Sequence, residues 1–354
     1  MDSVQCLRWR RCIHTPDTNG KRHYGDMGAK PFNIGIDVGG TNIKICVTNE
    51  RGTILSQHKI RTATEAGSYV LIQSIVDNIQ VMLEQTGITL SKVNSIGLGI
   101  PGTTDSIRGV IVFAPNIFMV NCEIVKTIQL TYDLPVYVVQ DTRAAAWGEY
   151  MVGGGKGLSS IASVTLGTGI GCGMVINGKI FHGALNTAGE FGHQIVEVDG
   201  NQCNCGRRGC LEAYAGGLAI VREAKESIAG LSNLLKKSVD SVSVEDVFGL
   251  AKAGNEQARR VTDKVVKYVG IGLVNLINIT SPELVSISGG ICNAPPELLI
   301  NPLVEFVRRR AYPTISEAIK ICRSPLRDAA PLIGAALLYR EAPRYAAVEV
   351  NEFP

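Results

Sequence analysis

The sequence predicts an α/β protein of two related halves that face each other across a cleft. Three observations carry this expectation. A strand–glycine turn–strand–turn–strand pattern over residues 33–61 returns over residues 160–183, about 127 residues later. Each copy leads into helices and further short apolar strands. The 354 residues, 45% of them hydrophobic, suffice for two domains of ordinary size, each with its own core. Ligands of such folds sit in the crevice between the halves.

In the first half, residues 33–38 form a short apolar strand and 39–42 a tight turn. Residues 43–48 form a second strand, 49–52 another turn and 53–61 a third strand. An amphipathic helix is expected over 68–85, and strands over 93–100 and 136–140. In the second half, strands at 160–166 and 170–176 flank the turn 167–169. Asn177-Gly178, a strong hairpin signal, leads into a strand at 179–183. Helices follow around 211–228, 244–253 and 255–279, then a strand at 284–288 and the Gly289-Gly290 turn. A helix over 296–310, a strand near 319–323 and an Ala/Leu-rich helix over 327–340 complete the chain.

Residues 1–30 show neither period and read as a disordered basic extension, or as an upstream start ahead of Met27. They hold six basic against three acidic side chains, which accounts for the whole net charge of +3. The remainder is neutral, a poor basis for binding nucleic acid through its phosphates. No run approaches the ~18 apolar residues of a membrane span. Of ten cysteines, seven are scattered and three crowd into residues 203–210. With no secretory signal ahead of them, that pattern indicates a metal site in a cytoplasmic protein rather than disulfides.

Both glycine turns join two strands and neither opens a helix, which excludes a dinucleotide fingerprint and a P-loop. A Gly/Thr hairpin can still hold phosphate, because glycine admits close approach and successive N–H groups form an anion-binding concavity. Gly39, Gly40 and Thr41 form one such turn, and Gly167, Thr168 and Gly169 the other. One such turn alone is most often an ordinary hairpin; two equivalent ones make an ATP site the better reading. Asp37 is placed to hold Mg²⁺ through water, since that ion keeps several waters. Gly289 and Gly290 are a third, weaker candidate, suited to packing a nucleoside against backbone.

His193, Cys203, Cys205 and Cys210 supply one imidazole and three thiolates, a closed tetrahedral set for structural Zn²⁺. The polar stretch 199–204 lacks apolar residues to order itself, and a metal would supply that order. Zinc would also fix Glu190 and Glu212, carboxylates suited to sugar hydroxyls, although either alone reads equally as a surface residue. Asp141, between the strand at 136–140 and the helical stretch 142–150, is either a helix N-cap or a general base facing the cleft. As a base it would take the proton of an attacking hydroxyl during in-line phosphoryl transfer.

These residues together resemble the ROK family (repressors, open reading frames, kinases) over about residues 33–340. Cys203-Asn-Cys-Gly-Arg-Arg-Gly-Cys210-Leu-Glu212 matches its CxCGxxGCxE pattern, and Glu190-Phe-Gly-His193 its ExGH companion. Asp37-Val-Gly-Gly-Thr-Asn-Ile-Lys44 and Leu166-Gly-Thr-Gly169 resemble its two phosphate motifs. The resemblance implies an actin-like (ribonuclease H-like) duplicated two-lobed fold with an interlobe cleft. A small lobe would span 31–140 with the 327–345 helix returning to it, and a large zinc-bearing lobe 141–326. It implies ATP, Mg²⁺ and structural Zn²⁺ as cofactors, Asp141 as catalytic base and Lys44 on the phosphate side. Glu190, His193 and Glu212 would touch the acceptor, with His193 sharing its ring between zinc and sugar. Gly102 and Asn116 resemble residues of the acceptor loops. A homodimer or homotetramer is implied, with neither nucleic acid nor membrane as partner.

Two departures fall in the acceptor pocket. Gln140 stands where the family usually has Asn before the catalytic Asp, and Asn116 leads into Ile-Phe-Met-Val-Asn-Cys where the family's glucokinases tend to have Leu-Gly-Trp. The expected activity is ATP-dependent phosphorylation of a hexose or similar ring polyol. Glucose is the default acceptor, with N-acylmannosamine, fructose or allose, and an inosose as alternatives. A sugar-responsive repressor is the remote alternative: such proteins carry a helix-turn-helix domain of about 60–80 residues ahead of the sugar domain, and only about 30 patternless residues precede the first strand here.

Overall fold

The computed structural model describes residues 30–62 and 67–341. The basic extension up to residue 29 and the end of the 327–345 segment lie outside the described residues.

Two five-stranded sheets share one strand order. In the first, β1 (Phe32–Val38), β2 (Asn42–Asn49) and β3 (Ile54–Arg61) form an antiparallel meander, and α1 (Ser68–Thr86) leads to β4 (Val93–Ile100). A small separate sheet follows: β5 (Thr103–Asp105), β6 (Val110–Ala114) and β7 (Met119–Cys122). Then α2 (Ile124–Tyr132) returns the chain to β8 (Val136–Gln140). The resulting order is β3-β2-β1-β4-β8, with β1, β4 and β8 parallel. After α3 (Asp141–Val152), the same plan recurs with β9 (Ile161–Leu166), β10 (Ile170–Ile176) and β11 (Lys179–Ile180). Further on come α4 (Glu212–Ala215), α5 (Gly217–Ser227), α6 (Leu231–Leu235), α7 (Val244–Lys252) and α8 (Glu256–Thr280). Next are β12 (Leu284–Ser288), α9 (Ile300–Arg310), α10 (Pro313–Ala318), β13 (Lys320–Arg323) and α11 (Ala330–Ala336). The second order is β11-β10-β9-β12-β13, again with three parallel strands.

The sheets are joined through α3 and α11, and glycines make that junction tight. A Cβ on Gly97 of β4 would lie 1.9 Å from the Ala335 carbonyl oxygen, and one on Gly35 of β1 2.3 Å from that of Leu332, so α11 lies flush on the first sheet. On β10, a Cβ at Gly173 would meet the Thr142 carbonyl oxygen at 2.1 Å, so α3 lies flush on the second. The helices cross where Gly148 and Gly334 leave room, and Trp147 Nε1 donates to the Leu337 carbonyl oxygen at 2.9 Å. Outer cores close each sheet. Leu71, Ile75 and Ile79 of α1 cover the first, while Val265, Val269 and Leu273 of α8 help to cover the second. Among the described residues, no helix is long and apolar enough to cross a membrane.

Several elements differ from expectation. The helix over 211–228 breaks at Gly216, which is extended (φ −70°, ψ 155°), because a Gly-Gly pair is a poor helix former and Gly217 N instead donates to the Gly167 carbonyl oxygen at 2.9 Å. The 296–310 helix starts as a single tight turn and becomes α-helical only at Ile300, after Leu299 leaves helical geometry (φ −133°). The strand at 179–183 shortens to Lys179–Ile180.

Candidate active site

The two glycine turns stand at the ends of β1 and β9, the central strands of their sheets. In the first, Gly39 N donates to the Asn42 carbonyl oxygen (2.9 Å), closing the turn. Thr62 secures it from behind, its Oγ1 donating to the Gly39 carbonyl oxygen (2.7 Å) and its N to that of Thr41 (2.9 Å). Gly40 and Thr41 are left exposed. In the second, Gly167 N donates to the Gly169 carbonyl oxygen (2.9 Å), and Thr168 is exposed. Gly289 adjoins this turn: its φ of +92° and a would-be Cβ 2.3 Å from the Leu166 carbonyl oxygen admit no side chain. Gly290, next to it, is exposed. Thr62 carries no signal in the sequence, where it is a lone Thr after a strand.

Asp37 and Lys44 are cross-strand neighbours on β1 and β2, with Lys44 Nζ 3.6 Å from Asp37 Oδ2. Lys44 also donates to the Asp328 carbonyl oxygen at 3.3 Å. Burial raises the Asp37 carboxyl above its ordinary range, and Lys44 works against that rise. Asp141 opens α3, its Cα packed 3.4 Å from where a Cβ on Gly99 would stand; Gly99 is the register partner of Asp37. Gln140, not Asp141, occupies the N-cap position, and it makes no side-chain cap. The Asp141 Oδ1 accepts from Thr142 N at 2.7 Å. Burial, then the charges of Asp37 and Glu190, push the Asp141 carboxyl up to about 6.

Around Asp141 lie several of the residues expected at the acceptor. Gln140 Nε2 donates to Glu190 Oε1 across 3.5 Å, and the buried Gln140 Oε1 has no partner among the described residues. Glu190 Oε2 lies 3.9 Å from His193 Nε2. Glu212 is drawn instead onto the second glycine turn, where its Oε2 accepts from Ile170 N at 2.8 Å. Asn116 is exposed beside the first turn, its carbonyl oxygen 3.7 Å from where a Cβ on Gly40 would be. Gly102, with φ +91°, abuts the Phe113 carbonyl oxygen. Phe118, two residues past Asn116, takes a left-handed backbone (φ 53°) and is 70% exposed. The departure from Leu-Gly-Trp was the signal for it: an aromatic residue stands where the family has glycine.

His193, Cys203, Cys205 and Cys210 converge, with their ligand atoms all within 4.8 Å of one another. Cys205 Sγ lies 3.7 Å from Cys210 Sγ, and Cys203 Sγ 3.8 Å from His193 Nδ1. A tetrahedral ion with Zn–S bonds of about 2.3 Å sets its sulfurs about 3.8 Å apart, whereas a disulfide needs about 2.05 Å. The donor set therefore fits zinc in spacing and chemistry. Nδ1 faces the thiols and Nε2 faces Glu190.

Comparison with known proteins places this geometry. The ROK family profile matches residues 33–342. A glucokinase of Halalkalibacterium halodurans is 33% identical over 313 residues, covering 87% of this chain and 94% of the relative. The crystal structure of a ROK family glucokinase from Streptomyces griseus, in complex with glucose and AMPPNP, superposes with a TM-score of 0.75 at 33% identity; it covers 88% of this chain and 99% of that one. A xylose repressor of Caldicellulosiruptor bescii is 30% identical over 304 residues, 85% of this chain and 76% of the repressor. A profile running from β1 to the end of the described residues, and relatives a third identical over nearly their whole length, lead to one assignment: the chain belongs to the ROK family.

Proposed function

We propose that this chain is an ATP-dependent sugar kinase that moves the γ-phosphoryl group of Mg-ATP to a hydroxyl of a hexose or similar ring polyol. The observation that carries the reading is Asp141: a carboxyl pushed up to about 6, at the head of α3, in electrostatic contact with Asp37 and Glu190. A base of that pKa is largely ionised at neutral pH yet basic enough to accept a hydroxyl proton. The S. griseus relative, with glucose and AMPPNP bound, supports the same reading. Retention of Asp37 and Asp141 favours catalysis over the repressor role.

In this mechanism the exposed backbone at Gly39–Thr41 and at Gly167–Gly169 holds the nucleotide phosphates, with Gly289 and Gly290 against the nucleoside. Asp37 would hold Mg²⁺ through water, and bound Mg²⁺ neutralises charge on the phosphate oxygens. Lys44 works against the rise that burial imposes on the Asp37 carboxyl. Gln140, Glu190 and His193 orient the acceptor, joined by Gly102 and Asn116 at its rim; Glu212, which accepts from Ile170 N on the second glycine turn, meets it from that side. Asp141 accepts the hydroxyl proton as the new O–P bond forms and the bond from the γ-phosphorus to the bridging oxygen breaks, releasing ADP. His193, Cys203, Cys205 and Cys210 would hold a structural zinc ion, and the segment from Glu190 to Glu212 would be fixed through them. A cytoplasmic homodimer or homotetramer completes the proposal, to be measured by light scattering after size exclusion.

The test is coupled ADP release over glucose, N-acylmannosamine, fructose, allose and inosose, with Mg²⁺ and zinc present. Turnover on glucose is expected first. Turnover on another of these moves the acceptor, and none on any overturns the kinase reading.

A further inference from the structure

Glu149 is a buried carboxylate that the mechanism above does not use. It lies on the last turn of α3, eight residues after Asp141, and is 0% exposed. The chain passes between the two sheets twice, over residues 153–160 from α3 to β9 and over 324–329 from β13 to α11. Glu149 holds both passages. Its Oε2 accepts from Gly154 N at 3.0 Å on the first, and its Oε1 accepts from Ser324 Oγ on the second. Its own carbonyl oxygen also accepts from Gly153 N (3.1 Å) and Gly155 N (2.9 Å). The first passage is shaped around the carboxylate: a Cβ on Gly153 would stand 2.5 Å from Oε2. Gly154 brings the passages together, its would-be Cβ 3.6 Å from Pro325 Cδ.

The second passage runs on to the nucleotide side. Ser324 N donates to the Ile287 carbonyl oxygen at 2.8 Å, and Ser324 Oγ accepts from Arg327 N at 2.7 Å. Arg327 has a φ of +51°, a conformation an L-residue holds only when its surroundings impose it. The next residue, Asp328, receives Lys44 Nζ on its carbonyl oxygen, and Lys44 pairs with Asp37. Glu149 also adjoins Gly148, where α3 and α11 cross without intervening side chains. At that crossing one lobe rests on the other, with Trp147, Ile333 and Leu337 packed beside the two glycines.

We infer that Glu149 is a positioning residue for phosphoryl transfer: with Ser324 it forms a clasp across both interlobe passages that sets the angle between the sheets. That angle fixes the spacing of the two glycine turns and the reach of Asp141 toward the γ-phosphoryl group. The inference rests on the kinase reading for its rate readout, but the clasp itself is a statement about interlobe geometry. Glutamine can keep both contacts, its Oε1 accepting from Gly154 N and its Nε2 donating to Ser324 Oγ. Alanine keeps neither, and Ser324→Ala removes the contact to the second passage together with the acceptor of Arg327 N.

The experiment compares Glu149→Gln, Glu149→Ala and Ser324→Ala in the full chain. It measures kcat, both KM values, and the change in radius of gyration by small-angle X-ray scattering on adding Mg-AMPPNP and glucose. Trp147, buried two residues from Glu149, gives a second signal in a Trp9→Phe background, since the chain has only two tryptophans. Ser324→Ala is expected to lower kcat about tenfold or more, as small misplacements do, with a smaller effect on KM and an altered scattering change. Glu149→Gln should recover most of the rate lost in Glu149→Ala. Wild-type kcat and wild-type scattering change in Ser324→Ala would overturn the clasp, as would Glu149→Gln behaving like Glu149→Ala. If Glu149→Ala fails to fold, Ser324→Ala against Glu149→Gln decides. Absent turnover in the wild type would count against the kinase reading, and the scattering and Trp147 comparison would still judge the clasp.

Discussion

Asp141→Asn separates what the site needs from what the fold prefers, because it is expected to move activity and stability in opposite directions. The substitution keeps the shape of the side chain and its acceptor for Thr142 N, and removes the proton acceptor. Loss of a general base lowers kcat by about 10²–10⁴-fold. Stability follows from linkage. The carboxyl rests at about 6 in the folded chain against an ordinary 3.8, so the folded state holds this proton more tightly than the unfolded one. Its contribution is therefore most favourable below about pH 3.8 and is lost as pH rises through about 6. At pH 8 the ionised side chain opposes folding by at most about 3 kcal/mol, at ~1.36 kcal/mol per unit, and partial exposure reduces this to about 1.5–3 kcal/mol.

Asparagine carries no charge, so at pH 8 the variant should be more stable than wild type by that amount. The gain should shrink by roughly half at pH 5 and vanish below about pH 4. Urea unfolding of the ligand-free protein at pH 8 and pH 5 gives the stability difference, and coupled ADP release gives the rate. In wild type, kcat/KM should fall about tenfold per pH unit below about pH 6. A variant keeping a tenth or more of wild-type kcat would refute Asp141 as base. A variant no more stable than wild type at pH 8 would refute burial as the origin of its raised pKa.

Three further outcomes are expected. Gly97→Ala would push a methyl group to within 1.9 Å of the Ala335 carbonyl oxygen and should destabilise by about 3 kcal/mol or more; an unchanged melting temperature would show that α11 can lift off β4 at little cost. Gln140→Asn withdraws the amide from Glu190 and should shift sugar KM by about threefold or more, since one hydrogen bond to a charged group is worth about 1.5–3 kcal/mol at most. ATP KM should stay as in wild type, and an unaltered acceptor profile would exclude Gln140 from the pocket. Cys205→Ser should lower the zinc content measured by plasma mass spectrometry from one ion per chain and weaken sugar binding while ATP binding persists. Full sugar affinity in zinc-free protein would sever the knot from the acceptor site.

The features legible in the sequence were those with a strong local period. The first two strands of each sheet, the glycine turns between them and the Cys/His spacing were all readable because each depends on neighbours along the chain. The small sheet was not. β6 reads Val-Ile-Val-Phe-Ala with two exposed residues between buried ones, and its pairing with β5 slips between Thr103 and Thr104, so no alternation survives. The short α2 carried a usable signal in buried Ile124, Val125, Ile128 and Tyr132, but its nine residues provide only about two and a half turns of it. Gly216 misled in the opposite direction: apolar helical spacing continues through it, while the Gly-Gly pair and its approach to the second glycine turn break the helix.

The placement of Asp141 shows why a duplicated fold needs its two halves to differ. The positions equivalent to Asp37 and Lys44 in the second half are Thr165 and Gly171, which are likewise register partners. In the first half that pair is charged and stands at the end of β1 beside the first glycine turn. In the second it is small, and a Cβ on Gly171 would already strike Thr142 Cγ2 at 2.5 Å. Gly173 does the same for the Thr142 main chain, and Gly99 receives Asp141 from the first sheet. The head of α3 is thus seated by residues without side chains from both sheets, which buries its carboxylate beside charged neighbours and raises its pKa. A sequence shows such glycines only as weak points in a strand; their purpose becomes visible once the helix they admit is in place.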